Sequence, residues 1–281
     1  MSVRVIQSRA EFESWRQSTN TTIAFVPTMG ALHEGHLALF QEAKKHGQTV
    51  VVSIFVNPTQ FNDPKDFEKY PRTLEEDLKK CASVAVDIVF APTKEDMYPA
   101  HETCPNIPLP EVAKPLEGQS RPGHFQGVIT IVSKLFEIVK PQTALFGLKD
   151  FQQVRVIQEM VQSQNFPITI IACPIVRSPE GLALSSRNAR LSQIGLKKAL
   201  RLSQALTWAQ QLFHQGLHDP KTLVQKLTDF ISEDPDLKID SIDIVDAQTL
   251  VSPTSKGSWL VALAVFVEGV QLIDNCVIGT T

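Results

Sequence analysis

The residues with most chemical reach in this sequence are two histidines three positions apart, His33 and His36, in VPTMGALHEGH (26–36). A neutral or cationic imidazole can donate hydrogen bonds to a phosphate and to charge developing on it. On a helix, positions three apart share a face. Gly30 and Gly35 let the backbone bend and approach a ligand closely. Four more blocks carry related chemistry. Gln60 in FVNPTQF (55–61) offers a donor and an acceptor, behind an Asn57-Pro58 pair that stops a strand. Arg121 and His124 in EGQSRPGHFQG (117–127) can carry positive charge on a glycine-containing segment, as a lid over a polyanion would. Lys149 in FGLKDFQQ (146–153) can hold a phosphate as a point charge. Asp150 can cap the helix that follows, with Gln152 and Gln153 in its first turn. Ser185, Ser186 and Arg187 in GLALSSRN (181–188) set two hydroxyls and a guanidinium in a row, which suits transferring phosphate oxygens.

Other readings of the same residues stand beside these. Gly30 and Gly35 have phosphate-loop spacing, but His36 and Leu37 follow where Lys and Ser/Thr would be needed, and no G-x-G-x-x-G occurs. Two histidines could bind zinc, but no third ligand accompanies them. The bland alternatives are a turn with two surface histidines, a plain Asn-Pro turn, a solvated loop at 117–127, and Asp150 as a simple N-cap beside a solvated Lys149.

The elements that must position these groups follow from hydrophobic periodicity. Residues 1–20 read as a short strand and an amphipathic helix over 8–18. An apolar β-prone run at 23–26 leads into the histidine turn, and a helical pattern covers 37–45. Residues 49–56 (TVVVSIFV) form a continuous β-branched run, as in a strand buried on both faces. A helix over 74–84 has Thr73 as N-cap and Glu75, Glu76 and Asp77 in its first turn. A strand at 85–91, a helix over 125–139, a strand at 143–146, a helix over 150–164 and a strand at 167–173 complete the alternation. Alternating strands and helices predict a doubly wound parallel sheet, with ligands beyond the C-terminal strand ends. Residues 92–123 read as a long, proline-rich loop, functional or mobile. Beyond about 175 the pattern changes to helices at 193–215 and 221–232 and strands at 239–245 and 258–267, which could pair antiparallel. The fold class is α/β, with one domain over 1–175 and a smaller α+β domain over 176–281.

Composition narrows the function classes. Of 281 residues, 43% are hydrophobic and 20% charged, and the net charge is −3. These are the proportions of a globular protein, without the basic surface that nucleic acid or an anionic membrane would favour. The N-terminus has no signal-peptide pattern, and the longest apolar run, 260–267, is strand-sized. Cys81, Cys104, Cys173 and Cys276 are scattered without a C-x-x-C pair, as for thiols in a reducing cytoplasm.

H-x-G-H at a strand–helix turn resembles the signature of the nucleotidyltransferase superfamily, a Rossmann-like fold that includes class I aminoacyl-tRNA synthetases. Taken in order, VPTMGALHEGH, SIFVNPTQF, YPRTLEEDL, RPGHFQGV, KDFQQ and LSSRN resemble the blocks of the pantoate–β-alanine ligase family across 26–188, and LIDN at 272–275 is similar to its C-terminal end. The resemblance implies condensation of (R)-pantoate with β-alanine, with ATP converted to AMP and pyrophosphate in the presence of Mg²⁺. Pantoate would attack the α-phosphorus to give pantoyl adenylate, and the β-alanine amine would then displace AMP.

Carried over residue by residue, the resemblance implies an ATP site of Met29, Gly30, Ala31, Leu32, His33, Glu34, Gly35 and His36. It adds Gly147, Leu148, Lys149, Asp150 and Val176 around adenosine and ribose, Lys149, Ser185, Ser186 and Arg187 around the phosphates, and Leu184 to the same ATP site. His36, the family's assigned proton donor, is catalytic with His33, Lys149 and Arg187. An ionised carboxylate needs no base, so an electrostatic role for His36 is favoured. Gln60 and Gln153 would hold pantoate, Gln60 would also face β-alanine, and Asp77 would lie beside Mg²⁺. Leu148 stands where many members have Glu or Gln. The family also implies a cytoplasmic homodimer, to which the strand region 50–55 could contribute, and no nucleic-acid or membrane partner. Rivals are another adenylyltransferase, a nucleotide sensor and a class I synthetase. Uncharged Gln60 and Gln153 favour a small hydroxy acid over a phosphomonoester. Retention of His33, His36, Lys149 and Arg187 disfavours a sensor. The short chain and lack of basic charge disfavour a synthetase.

Overall fold

The structure is a computed structural model. It describes residues 3–62, 64–100, 102, 106–253 and 257–279, and only the backbone of 64–66. The chain forms two compact units, Met1–Leu148 with Gln152–Pro174, and Lys149–Phe151 with Ile175–Thr281.

In the first unit the elements run β1 (Arg4–Ile6), α1 (Arg9–Gln17), β2 (Ile23–Thr28), α2 (Glu34–Ala43), β3 (Thr49–Ile54), α3 (Pro64–Lys69), α4 (Leu74–Ser83) and β4 (Ile88–Phe90). They continue with α5 (Lys94–Met97), α6 (Glu117–Ser120), α7 (His124–Val139), β5 (Thr143–Gly147), α8 (Phe151–Ser163) and β6 (Thr169–Cys173). The six strands make one parallel sheet in the order β1-β4-β3-β2-β5-β6, as the alternating pattern predicts.

Strand alternation divides the core between the two faces. Ala24, Val26, Val50 and Val52 pack with Leu32, Phe40, Ala43 and Cys81 on one side. On the other, Phe25 meets Phe136 of α7 edge-on, and Phe12 of α1 meets Phe90. Because α7 is apolar almost all round, nearly every one of its residues is buried. The chain winds outward from β2 to β3 and β4, then returns to β5 on the other side of β2. The end of β2 is therefore the switch point, where a doubly wound sheet leaves a crevice.

Several expectations are corrected. The strand region 50–55 offers no dimer edge: β3 is hydrogen-bonded on both sides, and Val50, Val51 and Val52 are buried. The long loop 92–123 carries α5, α6 and a 3-10 turn, Glu111–Ala113. Thr73 makes no side-chain cap on α4. Cys81 and Cys173 are buried and Cys276 is half-buried, all with free thiols, whereas Cys104 lies outside the described residues. Among the described residues no helix is long and apolar enough to cross a membrane.

The second unit holds α9 (Gln193–His214), α10 (Pro220–Ser232), β7 (Leu237–Asp246), β8 (Trp259–Val267) and β9 (Val270–Ile278). The strands form an antiparallel sheet, β7-β8-β9, with a register shift between Ile239 and Ser241. The sequence reading lacked β9. Two turn residues with positive φ, Glu268 and Gly269, tie it to β8 as a hairpin.

Candidate active site

The turn after β2 is held open by α4. Gly30 (φ 81°) and Ala31 (φ 50°) both adopt the left-handed region. A side chain at Gly30 would also lie 3.0 Å from Asp77 Oδ2. The Ala31 and Leu32 N–H groups donate to Asp77 Oδ2 and Oδ1 at 2.9 and 2.8 Å, and the Thr73 hydroxyl donates to Oδ2 at 3.1 Å. One turn on, Lys80 Nζ donates to the Leu32 carbonyl at 2.5 Å. Asp77 has no exposed surface. Expected beside Mg²⁺, the carboxylate here is buried and takes three donors, so it serves as a clamp on the turn.

That clamp delivers the chain to α2, which begins at Glu34, three residues earlier than expected, because His33 caps it. His33 Nδ1 accepts from the Gly35 N–H at 3.2 Å, and His36 Nδ1 accepts from the His33 N–H at 3.3 Å. Two imidazoles thus build a reciprocal cap of the kind usually made by Ser/Thr and Glu. A ring nitrogen that accepts cannot carry the proton, so each neutral ring bears it on Nε2. The rings lie 4.2 Å apart, half-buried at the positive end of the α2 dipole. Gly35 is a helical residue whose contribution is its N–H, not a bend.

After β3, Asn57 enters a 3-10 turn, Pro58–Gln60. Asn57 Nδ2 donates to the Gly127 carbonyl and to Gln60 Oε1, both at 3.1 Å. With its oxygen so engaged, Gln60 directs Nε2 to within 2.9 Å of Met29 Sδ, at the β2 turn. The backbone carbonyl of Gln60 accepts from His124 Nδ1 at 2.7 Å. Gly127 is required here, since a Cβ would sit 2.4 Å from the Thr59 carbonyl oxygen.

The expected cationic lid at Arg121 and His124 is corrected in turn. His124 is 7% exposed, holds the Gln60 turn through Nδ1 and receives Arg121 at Nε2 (3.4 Å), while Arg121 pairs with Glu117 at 3.1 Å. These groups brace the floor of the site. Gln152, a first-turn residue in the sequence reading, is buried. It accepts from the Glu117 N–H and donates to the Val112 and Pro115 carbonyls, so it ties residues 112–117 to α8. Gln153, the next residue, is half-buried. Gln60 and Gln153 follow β3 and β5, the two strands that flank β2. Gly147 ends β5, and Leu148 follows it.

In the second unit, Lys149, Ser185 and Arg187 line one small recess with residues 271–274 of β9. Ser185 Oγ accepts from the Arg187 N–H at 3.2 Å, capping a 3-10 turn, Ser186–Arg190. Val176 accepts from the Leu184 N–H at 3.0 Å, closing a tight hairpin around Gly181 (φ 106°). Arg177 pins that hairpin to β9 through two hydrogen bonds to buried Asp274, at 2.6 and 2.9 Å. Asn275 Nδ2 donates to the Lys149 carbonyl at 2.9 Å. Asp150 lies 3.5 Å from Lys149 Nζ and ends a 3-10 turn, Leu148–Asp150, that is followed directly by α8. Residues 272–275, singled out only by resemblance, hold Lys149 and Arg177, and the Gln271 carbonyl beside them accepts from Arg187 at 3.4 Å.

Sequence reasoning missed Asn57, Asp77 and Arg177–Asp274 in these roles. Asn57 carried a local signal, because its side chain accepts from the Thr59 N–H as an Asx-turn does. Asp77 carried none, being 45 residues from the nearer N–H that it binds.

The family model described as pantoate-beta-alanine ligase matches residues 3–277. The pantothenate synthetase of Thermotoga neapolitana is 45% identical over 279 residues, 99% of each chain. The structure of the pantothenate synthetase from Thermus thermophilus superposes with a TM-score of 0.92 at 38% identity, covering 98% of this chain and 99% of that one. The pantoate-beta-alanine ligase of Francisella tularensis, complexed with beta-gamma ATP and beta-alanine, gives 0.82 at 36% identity and covers 98% and 97%. The chain belongs to the pantoate–β-alanine ligase family, and is a ligase of pantoate and β-alanine.

Proposed function

We propose that the chain condenses (R)-pantoate with β-alanine at the expense of ATP through pantoyl adenylate. The pantoate carboxylate attacks the α-phosphorus, the bond to the bridging oxygen breaks, and pyrophosphate leaves. The β-alanine amine then attacks the acyl carbon, AMP departs, and the amine loses a proton to give the amide. The observation that carries this reading is the paired-imidazole cap at the switch point. Both Nδ1 atoms are committed to backbone N–H groups. His33 and His36 therefore act as Nε2–H donors to phosphate charge, and the α2 terminus adds to their field. Because the attacking carboxylate is already ionised, His36 acts by electrostatic stabilisation.

Met29–His36, Gly147 and Leu148 bind ATP in the first unit, with Gln60 and Gln153 on pantoate and Gln60 also facing β-alanine. Lys149, Asp150, Val176 and Leu184 serve the nucleotide, and Lys149, Ser185, Ser186 and Arg187 the developing phosphate charge. The bound ATP analogue and β-alanine of the Francisella relative support these substrates here. Among the described residues no three His, Cys, Asp or Glu side chains come together as a metal cage. Mg²⁺ would accordingly enter on the phosphates of ATP and on water. The reading includes a cytoplasmic homodimer, whose oligomeric state sedimentation velocity tests.

The decisive assay is pyrophosphate release with ATP, Mg²⁺ and pantoate, with and without β-alanine, for the wild type and His36→Ala. Sustained release that needs both acids, with AMP and pantothenate formed and a large loss in the variant, is expected. Folded, ATP-binding protein that releases no pantoate-dependent pyrophosphate would refute the reading.

A further inference from the structure

Asn57 orients Gln60, and a residue outside the sequence motifs orients Asn57. Tyr98, which follows α5, donates its hydroxyl to Asn57 Oδ1 at 2.7 Å. The two other donors on that oxygen are longer, the Thr59 hydroxyl at 3.0 Å and the Thr59 N–H at 3.4 Å. With Oδ1 so occupied, Asn57 has only Nδ2 to offer Gln60 Oε1, and Gln60 turns Nε2 toward Met29. A carboxamide presents opposite polarity when flipped by half a turn, and its own torsion barely distinguishes the two states. The choice is therefore made by the neighbours.

Tyr98 is itself firmly placed. Its ring packs on Phe55, with centroids 6.4 Å apart. Lys134 Nζ, from a side chain only 3% exposed, lies 5.8 Å from the ring centroid. That ammonium pairs with Glu102 at 3.3 Å, and Glu102 also takes a hydrogen bond from Arg9 at 2.9 Å. Burial would push the Glu102 carboxyl up, but the Arg9 hydrogen bond and the Lys134 pair hold it below its usual range, so the carboxylate stays charged beneath Lys134. A cation over an aromatic face draws electron density from the ring. A phenol so depleted is a stronger donor.

We propose that Tyr98 is a positioning residue: through Asn57 it locks Gln60 with its amide N–H groups toward the cleft, so that this subsite selects an acceptor oxygen of the hydroxy acid. The inference rests on the assignment of Gln60 to pantoate. An unlocked Gln60 would spend time with its carbonyl oxygen facing an acceptor on the substrate, which weakens binding without touching ATP.

The test is a double-mutant cycle of Tyr98→Phe and Gln60→Ala, read as KM for pantoate and KM for ATP, with thermal midpoints. Losing one neutral hydrogen bond in the relay should raise the pantoate KM about fivefold. The ATP KM should stay at the wild-type value and the midpoint should fall by no more than about 4 °C, since the ring and its packing remain and Thr59 still donates to Asn57 Oδ1. In the Gln60→Ala background the same substitution should have no further effect on the pantoate KM. A wild-type pantoate KM in Tyr98→Phe, or an equal rise in both backgrounds, overturns the inference alone. A wild-type pantoate KM in Gln60→Ala overturns the assignment of Gln60, and the inference with it.

Discussion

Replacing Asp77 by asparagine keeps the volume of the side chain and removes its charge. The carboxylate accepts from two backbone N–H groups and one hydroxyl, at 2.8 to 3.1 Å, in a place with no exposed surface. Asparagine can serve only one of the two N–H groups and sets its own NH₂ against the other. A lost charge-assisted bond is worth roughly 1.5–3 kcal/mol, and a buried donor left facing a donor adds about 1 kcal/mol or more. We expect a destabilisation of about 3 kcal/mol, which lowers the thermal midpoint by roughly 6–12 °C for a unit of this size. The left-handed backbone of Gly30 and Ala31 would then relax, and the histidine cap with it. KM for ATP should rise by at least about tenfold, because displacements near 1 Å in a positioned site cost on the order of 10²-fold in rate. Differential scanning fluorimetry and steady-state kinetics at several Mg²⁺ concentrations read both effects. A midpoint within about 2 °C of the wild type, together with an altered Mg²⁺ dependence, would refute the clamp and restore Asp77 to the metal.

Other perturbations separate the remaining contributions. His33→Asn keeps a good N-cap but lacks Nε2–H, so the midpoint should hold while kcat falls by roughly 10²-fold, and unchanged turnover would show that the ring serves only the helix. Asp274→Ala leaves Arg177 without its partner and frees the hairpin around Gly181. Urea unfolding should show a loss of about 3 kcal/mol, and a loss under about 1 kcal/mol would mean that the pair is dispensable. Burial, helped by the Asp77 charge at Cys81 and the Asp274 charge at Cys276, raises the thiols of Cys81, Cys173 and Cys276 to about 12, 11 and 12 from an ordinary 9.0. Below pH 9 both the folded and the unfolded chain keep these protons. Above it the unfolded chain releases them first, so stability should fall as pH rises from about 9 toward 11–12. In a Cys104→Ser background a disulfide reagent at pH 8 should label native protein slowly and unfolded protein at all three remaining cysteines, and fast native labelling would contradict the burial.

The candidate site residues were legible because their signals are local. A β-branched run, then Gly30, then two histidines and an amphipathic pattern says strand, turn and helix start within a few residues. Lys149, with its Gly147 turn, and Ser185–Arg187 announced themselves by type. Periodicity also distinguished the parallel sheet of the first unit from the antiparallel one that follows. Local signals misled where a charged or polar type was taken for a site group. Arg121 and His124 are as polar as Gln60, yet they brace its floor, and nothing in their neighbours along the chain distinguishes the two jobs.

Sequence by itself therefore determined most element types, the fold class and the histidine turn, because helix and strand periods, turn propensities and capping preferences act between residues a few positions apart; the family came from the resemblance of its motif blocks. Tertiary structure alone decided which donor meets which acceptor. Asp77 reaches the β2 turn only because β3 lies beside β2 and α4 packs beneath them. Gln60 acquires its polarity from Asn57 and Tyr98, and Lys149 is held by Asn275, 126 residues away. A buried polar atom must find a partner within about 3 Å. Which partner that is depends on strand order and helix packing, and those are fixed by the whole hydrophobic core at once.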